Sequence, residues 1–128
     1  MSRYARKKDG NHNAIVQWAL TLGFEAHDTS RLGDGFPDAV MCFQLYRDFW
    51  VNDLWEIKDG KRGTLTDDET EFFARWRGPK IIIRCFEDVS ARRDYWLSIG
   101  TAMSASAQLR ELLKSQEASY TRGEQGDR

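Results

Sequence analysis

The stretch Gly35-Phe36-Pro37-Asp38-Ala39-Val40-Met41-Cys42-Phe43, together with Val51-Asn52-Asp53-Leu54-Trp55-Glu56-Ile57-Lys58-Asp59-Gly60, decides the reading of this chain. Ala39 to Phe43 is an apolar run of a length that suits a strand covered on both faces. In the second segment Trp55 and Ile57 point one way, while Leu54, Glu56 and Lys58 point the other. Asp59-Gly60 is a turn signal that ends that strand. If a loop around Arg47 and Asp48 joins the two strands as a hairpin, Asp38 at the start of one neighbours Glu56 near the end of the next. Lys58 then shares a face with Glu56, about 6.5–7 Å further along.

Working outward, Asn11 to Leu22 has the spacing of a helix, with Ala14, Ile15, Trp18, Ala19 and Leu22 on one face. Asn11 or Asn13 is placed to cap it, and Gly23 to stop it. Phe24 to Asp28 reads as a short strand. Thr66-Asp67-Asp68-Glu69 has capping-box spacing ahead of a helix with Phe72, Phe73 and Trp76 on its apolar side, stopped by Gly78-Pro79. Capping accounts for Thr66 and Glu69, and neither is expected to be catalytic. Ile81-Ile82-Ile83 marks a buried strand, and one or two helices follow, over Ser90 to Ile99 and Ser104 to Leu113. The order α-β-β-β-α-β-α predicts an α/β domain with a central mixed β-sheet flanked by helices. It spans residues 9–114, between a flexible basic arm over 1–8 and a disordered tail over 115–128.

The bulk numbers narrow the function. The chain has 128 residues, enough for one domain with one core. A net charge of -1 excludes a whole-molecule positive field as the basis of nucleic-acid binding. Basic residues nevertheless cluster at Arg3, Arg6, Lys7 and Lys8, at Lys58, Lys61 and Arg62, and at Arg92 and Arg93. Such groups are ordinary solvated surface unless they surround one site. No apolar run approaches a membrane span, and no apolar stretch follows the basic start as in a secretory signal. Cys42 and Cys85 lie in apolar runs and read as buried free thiols of a cytosolic protein. With His12 and His27 as the only histidines, zinc has too few ligands. Trp18, Trp55 and Trp76 fall on apolar faces and are expected in the core; Trp50 and Trp96 are left open.

Two carboxylates converging on one point repel, and a divalent cation relieves that repulsion. Oxygen donors such as Asp38, Glu56 and the backbone carbonyl of Ile57 suit Mg²⁺ or Mn²⁺. Lys58 is placed to orient an attacking water or to neutralise a phosphate, and Lys61 and Arg62 to grip the phosphate chain. Taken singly, each element has an ordinary reading: Pro-Asp is common in turns, and Glu-x-Lys on a strand is often an exposed ion pair. Taken jointly, charges on so apolar a strand are costly without a task.

Gly35-Phe36-Pro37-Asp38, an apolar strand and Trp55-Glu56-Ile57-Lys58 together resemble the PD-(D/E)XK nuclease superfamily. The finer resemblance is to small phage and bacterial nucleases of the VRR-NUC and Holliday-junction-resolvase-like kind. It extends to the opening segment from Asp9 to Val16, the Gly33–Asp38 turn, Lys58-Asp59-Gly60, Leu65-Thr66, Trp76-Arg77-Gly78 and Glu87-Asp88, and covers roughly residues 9 to 90. It implies a restriction-endonuclease-like fold in which Asp38 and Glu56 bind Mg²⁺ (or Mn²⁺) and Lys58 assists the attacking water. The implied activity is a metal-dependent endodeoxyribonuclease acting on structured or branched DNA, with duplex DNA and RNA left open. The implied setting is a bacterial or phage-infected cytoplasm, and pairing as a homodimer, as in related resolvases, is open. One departure stands out: relatives carry a glutamate or glutamine on the first helix, where this chain has His12. His12 can ligate metal, touch phosphate, cap the helix or face solvent; Asp9 or Asn11 can take the role instead. The substitution motivates an alternative, a catalytically inactive module that binds nucleic acid or a protein partner.

Overall fold

The computed structural model describes residues 11–60 and 63–126, apart from the side chains of 124–126. The expected basic arm with Arg6, Lys7 and Lys8, and the loop pair Lys61 and Arg62, lie outside the described residues.

The decisive hairpin forms. Strands Ala39–Tyr46 and Phe49–Ile57 pair antiparallel, with Ala39 opposite Trp55 and Val40 opposite Leu54. We label them β2 and β3, after a first strand, β1, at Glu25–Asp28. The chain reverses at Arg47, whose φ is 51° and whose guanidinium lies over the Tyr46 ring. β1 pairs antiparallel with β2, while β4 (Lys80–Ile83) pairs parallel with β3. The result is a four-stranded mixed sheet in the order β1-β2-β3-β4. Three helices complete the predicted element order: α1 (His12–Thr21), α2 (Asp67–Arg75) and α3 (Phe86–Gly126).

Strand alternation sorts the side chains as the sequence implies. Met41, Phe43, Trp55, Ile57 and Ile83 meet Ile15 and Ala19 of α1 and Val89 and Trp96 of α3 in one continuous core. Phe24 packs its ring tilted against Phe43 and edge-on to Trp55. Asp53, on this same inward face, is fully buried. It accepts two hydrogen bonds of 2.7 Å from the Arg92 guanidinium and further ones from the indole nitrogens of Trp55 and Trp96. Arg92, expected as solvated surface, is therefore a bidentate pin between β3 and α3.

Several expectations change. Trp18 and Trp76 are exposed, whereas Trp96 joins the core; Trp76 is the C-cap beyond α2, where the backbone is already extended. Cys42 is only half-buried and Cys85 is exposed; both are free. The two C-terminal helices are one helix of 41 residues. At Gly100, between the two expected helical segments, α3 passes close to β2; a Cβ there would lie 1.9 Å from the Leu45 carbonyl oxygen. The expected disordered tail is helical through Gly126. Extending a helix already nucleated by packing costs far less than starting one, and Gln116, Glu117 and Ala118 are good helix formers. No described helix is long and apolar enough to cross a membrane.

Candidate active site

Asp38 stands one residue before β2, opposite Glu56 if the register Ala39–Trp55 is extended by one pair. Residues directly opposite in an antiparallel pair share a face, so the two carboxylates meet on the side of the sheet away from the core. Asp38 is fixed from both ends. Its Oδ2 accepts the Ile57 N–H at 2.8 Å, and its carbonyl accepts the Thr29 N–H at 2.8 Å. The carboxylate thus takes the place of a ladder partner at the end of β3, which aims it at Glu56.

The turn before Asp38 is shaped by Gly35, which has a φ of 78°. A Cβ there would come within 2.2 Å of the Asp68 carbonyl oxygen. That close approach seats the Gly35–Asp38 turn against the first turn of α2, and Phe36 packs edge-on to Phe72.

α2 contributes the residue that sequence reasoning set aside. Glu69 does complete the capping box with Thr66. Its Oε1 also accepts a 2.8 Å hydrogen bond from Lys58 Nζ, and the side chain is fully buried. Lys58 Nζ lies 3.5 Å from Glu56 Oε1 as well. Asp38, Glu56, Lys58 and Glu69 thus form one cluster, none more than 8% exposed. The signal was present: Glu69, Phe72, Phe73 and Trp76 recur at helical spacing, so Glu69 is an acid on the apolar stripe and needs a buried partner. Asn11, expected as a cap, makes no side-chain cap. Its amide instead donates to the carbonyls of Lys58 and Arg84, each at 3.2 Å, and ties α1 to the ends of β3 and β4. Arg84 donates to the Gly60 and Gly63 carbonyls and braces the loop after Lys58.

The electrostatics of the cluster are uneven. Burial, then hydrogen bonding to Glu69 and the charges of Asp38 and Glu69, push the Glu56 carboxyl up to about 10. It therefore holds a proton at neutral pH when no cation is present. Burial would raise Glu69 too, but hydrogen bonds with Glu56, Lys58 and the Thr66 backbone, together with the lysine charge, outweigh it and lower Glu69 to about 2. Glu56 Oε2 is buried and receives no hydrogen bond from the described residues. A buried acceptor without a donor is costly; a proton or a cation shared with Asp38 would satisfy it.

No family model, curated protein or solved structure matches the chain.

His12 is 3% exposed and lines a cleft of about 190 Å³ with Asn13, Gln17, Asp28 and Ala39. It neither faces solvent nor caps α1, whose cap position is Asn11. Among the described residues no three His, Cys, Asp or Glu side chains are disposed to hold a metal. A cation at Glu56 would therefore rest on two carboxylates and a backbone carbonyl, that of Ile57. Such an all-oxygen set suits Mg²⁺, which keeps several waters of its own, and does not suit a closed structural zinc.

Proposed function

We propose that this chain is a divalent-metal-dependent endonuclease that hydrolyses phosphodiester bonds in DNA, with structured or branched DNA as the favoured substrate. The observation that carries the reading is the convergence of Asp38 and Glu56 beside Lys58, around a buried oxygen with no donor. The α/β framework with its mixed sheet is compatible with a restriction-endonuclease-like fold, and the PD-(D/E)XK motif order supports the same assignment.

In this reading Asp38, Glu56 and the Ile57 carbonyl hold Mg²⁺ or Mn²⁺. The bound ion supplies charge stabilisation for a phosphate and makes water a better nucleophile near neutral pH. Glu56 gives up its proton to bind it, so affinity rises with pH. Lys58 places its ammonium at the edge of the cluster, where it can hold a water by hydrogen bonding or offset charge on a phosphate oxygen. Glu69 acts through Lys58 as a positioning residue, fixing the ammonium at one distance from Glu56. Lys61 and Arg62, which follow Lys58 in the chain, are assigned to the phosphate backbone. Because the net charge is -1, binding rests on this local patch and is steeply salt-dependent.

The test is cleavage of duplex, single-stranded, flap and four-way-junction DNA with Mg²⁺ or Mn²⁺. The parent protein should cut, and Glu56→Gln and Lys58→Ala should each lose about 10²-fold or more. Equal activity in all three proteins would reject the assignment.

A second reading, a non-catalytic module that binds nucleic acid or a protein partner, draws on the same contacts. The Lys58–Glu69 pair neutralises the lysine internally, and among the described residues no three His, Cys, Asp or Glu side chains are disposed to hold a metal. It predicts no cleavage of any substrate, with DNA affinity unchanged by Glu56→Gln.

A further inference from the structure

Beyond Gly100, α3 carries an apolar stripe that the domain leaves uncovered. Leu109, Leu112, Leu113 and Tyr120 are each 55–69% exposed. At 100° per residue they fall within about 100° of arc on the helix surface, the width of a helix–helix seam rather than scattered surface leucines. A monomer gains nothing from such a stripe, and single exposed leucines rarely align in this way.

The stripe runs into a groove. Tyr46, Phe49, Ile99, Met103 and Arg110 line an open apolar cavity of about 580 Å³ between the tip of the β2–β3 hairpin and α3. Phe49 at that tip is 61% exposed. Stripe and groove are contiguous along one helix, so one elongated partner can cover both.

The sequence of the helix fits itself as that partner. In an antiparallel pair of α3 helices related by a two-fold axis between Lys114 and Ser115, residues whose numbers sum to about 229 face each other. Leu109 then meets Tyr120 of the second copy, Leu113 meets Gln116, and Ser106 meets Gly123, which sets the large side chains in the middle of the seam and the small ones at its ends. On the flank, Arg110 of each copy comes opposite Glu117 of the other, two symmetric ion pairs from residues that are exposed in the single chain. The overlap, residues 103 to 126, runs for about 36 Å at 1.5 Å per residue. It brings the end of the partner helix to the mouth of the groove at Met103 and Phe49.

We propose that α3 is the interface of a two-fold homodimer, formed by antiparallel pairing of Leu109, Leu113 and Tyr120 with their copies and by the cross-pair Arg110–Glu117. This inference does not depend on the activity assigned to the chain. Sedimentation equilibrium tests it, with circular dichroism to confirm that each variant stays helical. The 128-residue chain should behave as twice its 14.9 kDa mass at micromolar concentration. Leu113→Glu should give a monomer. Arg110→Glu or Glu117→Arg alone should weaken the dimer about tenfold, and the two together should restore it. A monomeric parent would overturn the proposal. So would a dimer that survives Leu113→Glu, or a double charge reversal no better than either single one.

Discussion

β3 buries two carboxylates three residues apart, on opposite faces of one sheet, and their surroundings could hardly differ more. Asp53 receives two bonds from Arg92 and one from each of two indoles. Glu56 receives nothing at Oε2 from the described residues and faces Asp38 and Glu69, two further acids. The first arrangement is complete and makes the fold; the second is incomplete and waits for a proton or a cation. A charge whose bonding is saturated serves architecture, and one whose bonding is left open beside like charges marks a site.

Breaking the saturated cluster should have the larger effect on stability. Arg92→Ala leaves Asp53 buried with only indole donors. It should cost about 3–5 kcal/mol in urea unfolding, as removal of one member of a buried pair does. Glu56→Gln should cost little near neutral pH in the cation-free protein, because it replaces a protonated carboxyl by a neutral isostere. A loss as large as that of Arg92→Ala would place Glu56 with the architecture instead.

The pH dependence sharpens the contrast. Glu56 is raised in the folded state, from 4.5 to about 10, so the folded protein keeps a proton that the unfolded chain releases. Its contribution to stability is complete below about 4.5 and is lost as pH rises toward 10. Glu69, lowered to about 2, contributes above 4.5 and loses its contribution as pH falls through about 2. Unfolding of the cation-free protein should show stability declining from pH 5 to pH 9, and Glu56→Gln should flatten that slope. A slope unchanged by the substitution would contradict the assignment of the proton to Glu56. A smaller loss than at Arg92 is expected at Asn11: Asn11→Ala removes the bonds to the Lys58 and Arg84 carbonyls and should cost about 1 kcal/mol.

Much of this was legible in the sequence, for reasons that local chemistry explains. Period-two alternation sorted Trp55 and Ile57 from Glu56 and Lys58, and the hairpin then brought Asp38 to Glu56 without further information. Glu69 was hidden by its second task, since a capping box accounts for an acid at that position and stops the search. Asp53 shows the same lesson, as a charge in step with Trp55 and Ile57 whose partner, Arg92, lies 39 residues away. Such long-range pairs leave no local mark. The continuity of α3 across residues 100–103 was not legible locally; Gly100 serves the close crossing of β2 and does not end the helix.

The most direct measurement of the difference between the two clusters is a calorimetric titration of the parent protein and of Asp38→Asn with Mn²⁺ at pH 7 and pH 8.5. Saturable binding is expected in the parent, tighter at the higher pH, with a proton released as the ion enters, and lost in Asp38→Asn. Absence of binding at millimolar Mn²⁺, or equal binding by the two proteins, would contradict a shared cation between positions 38 and 56.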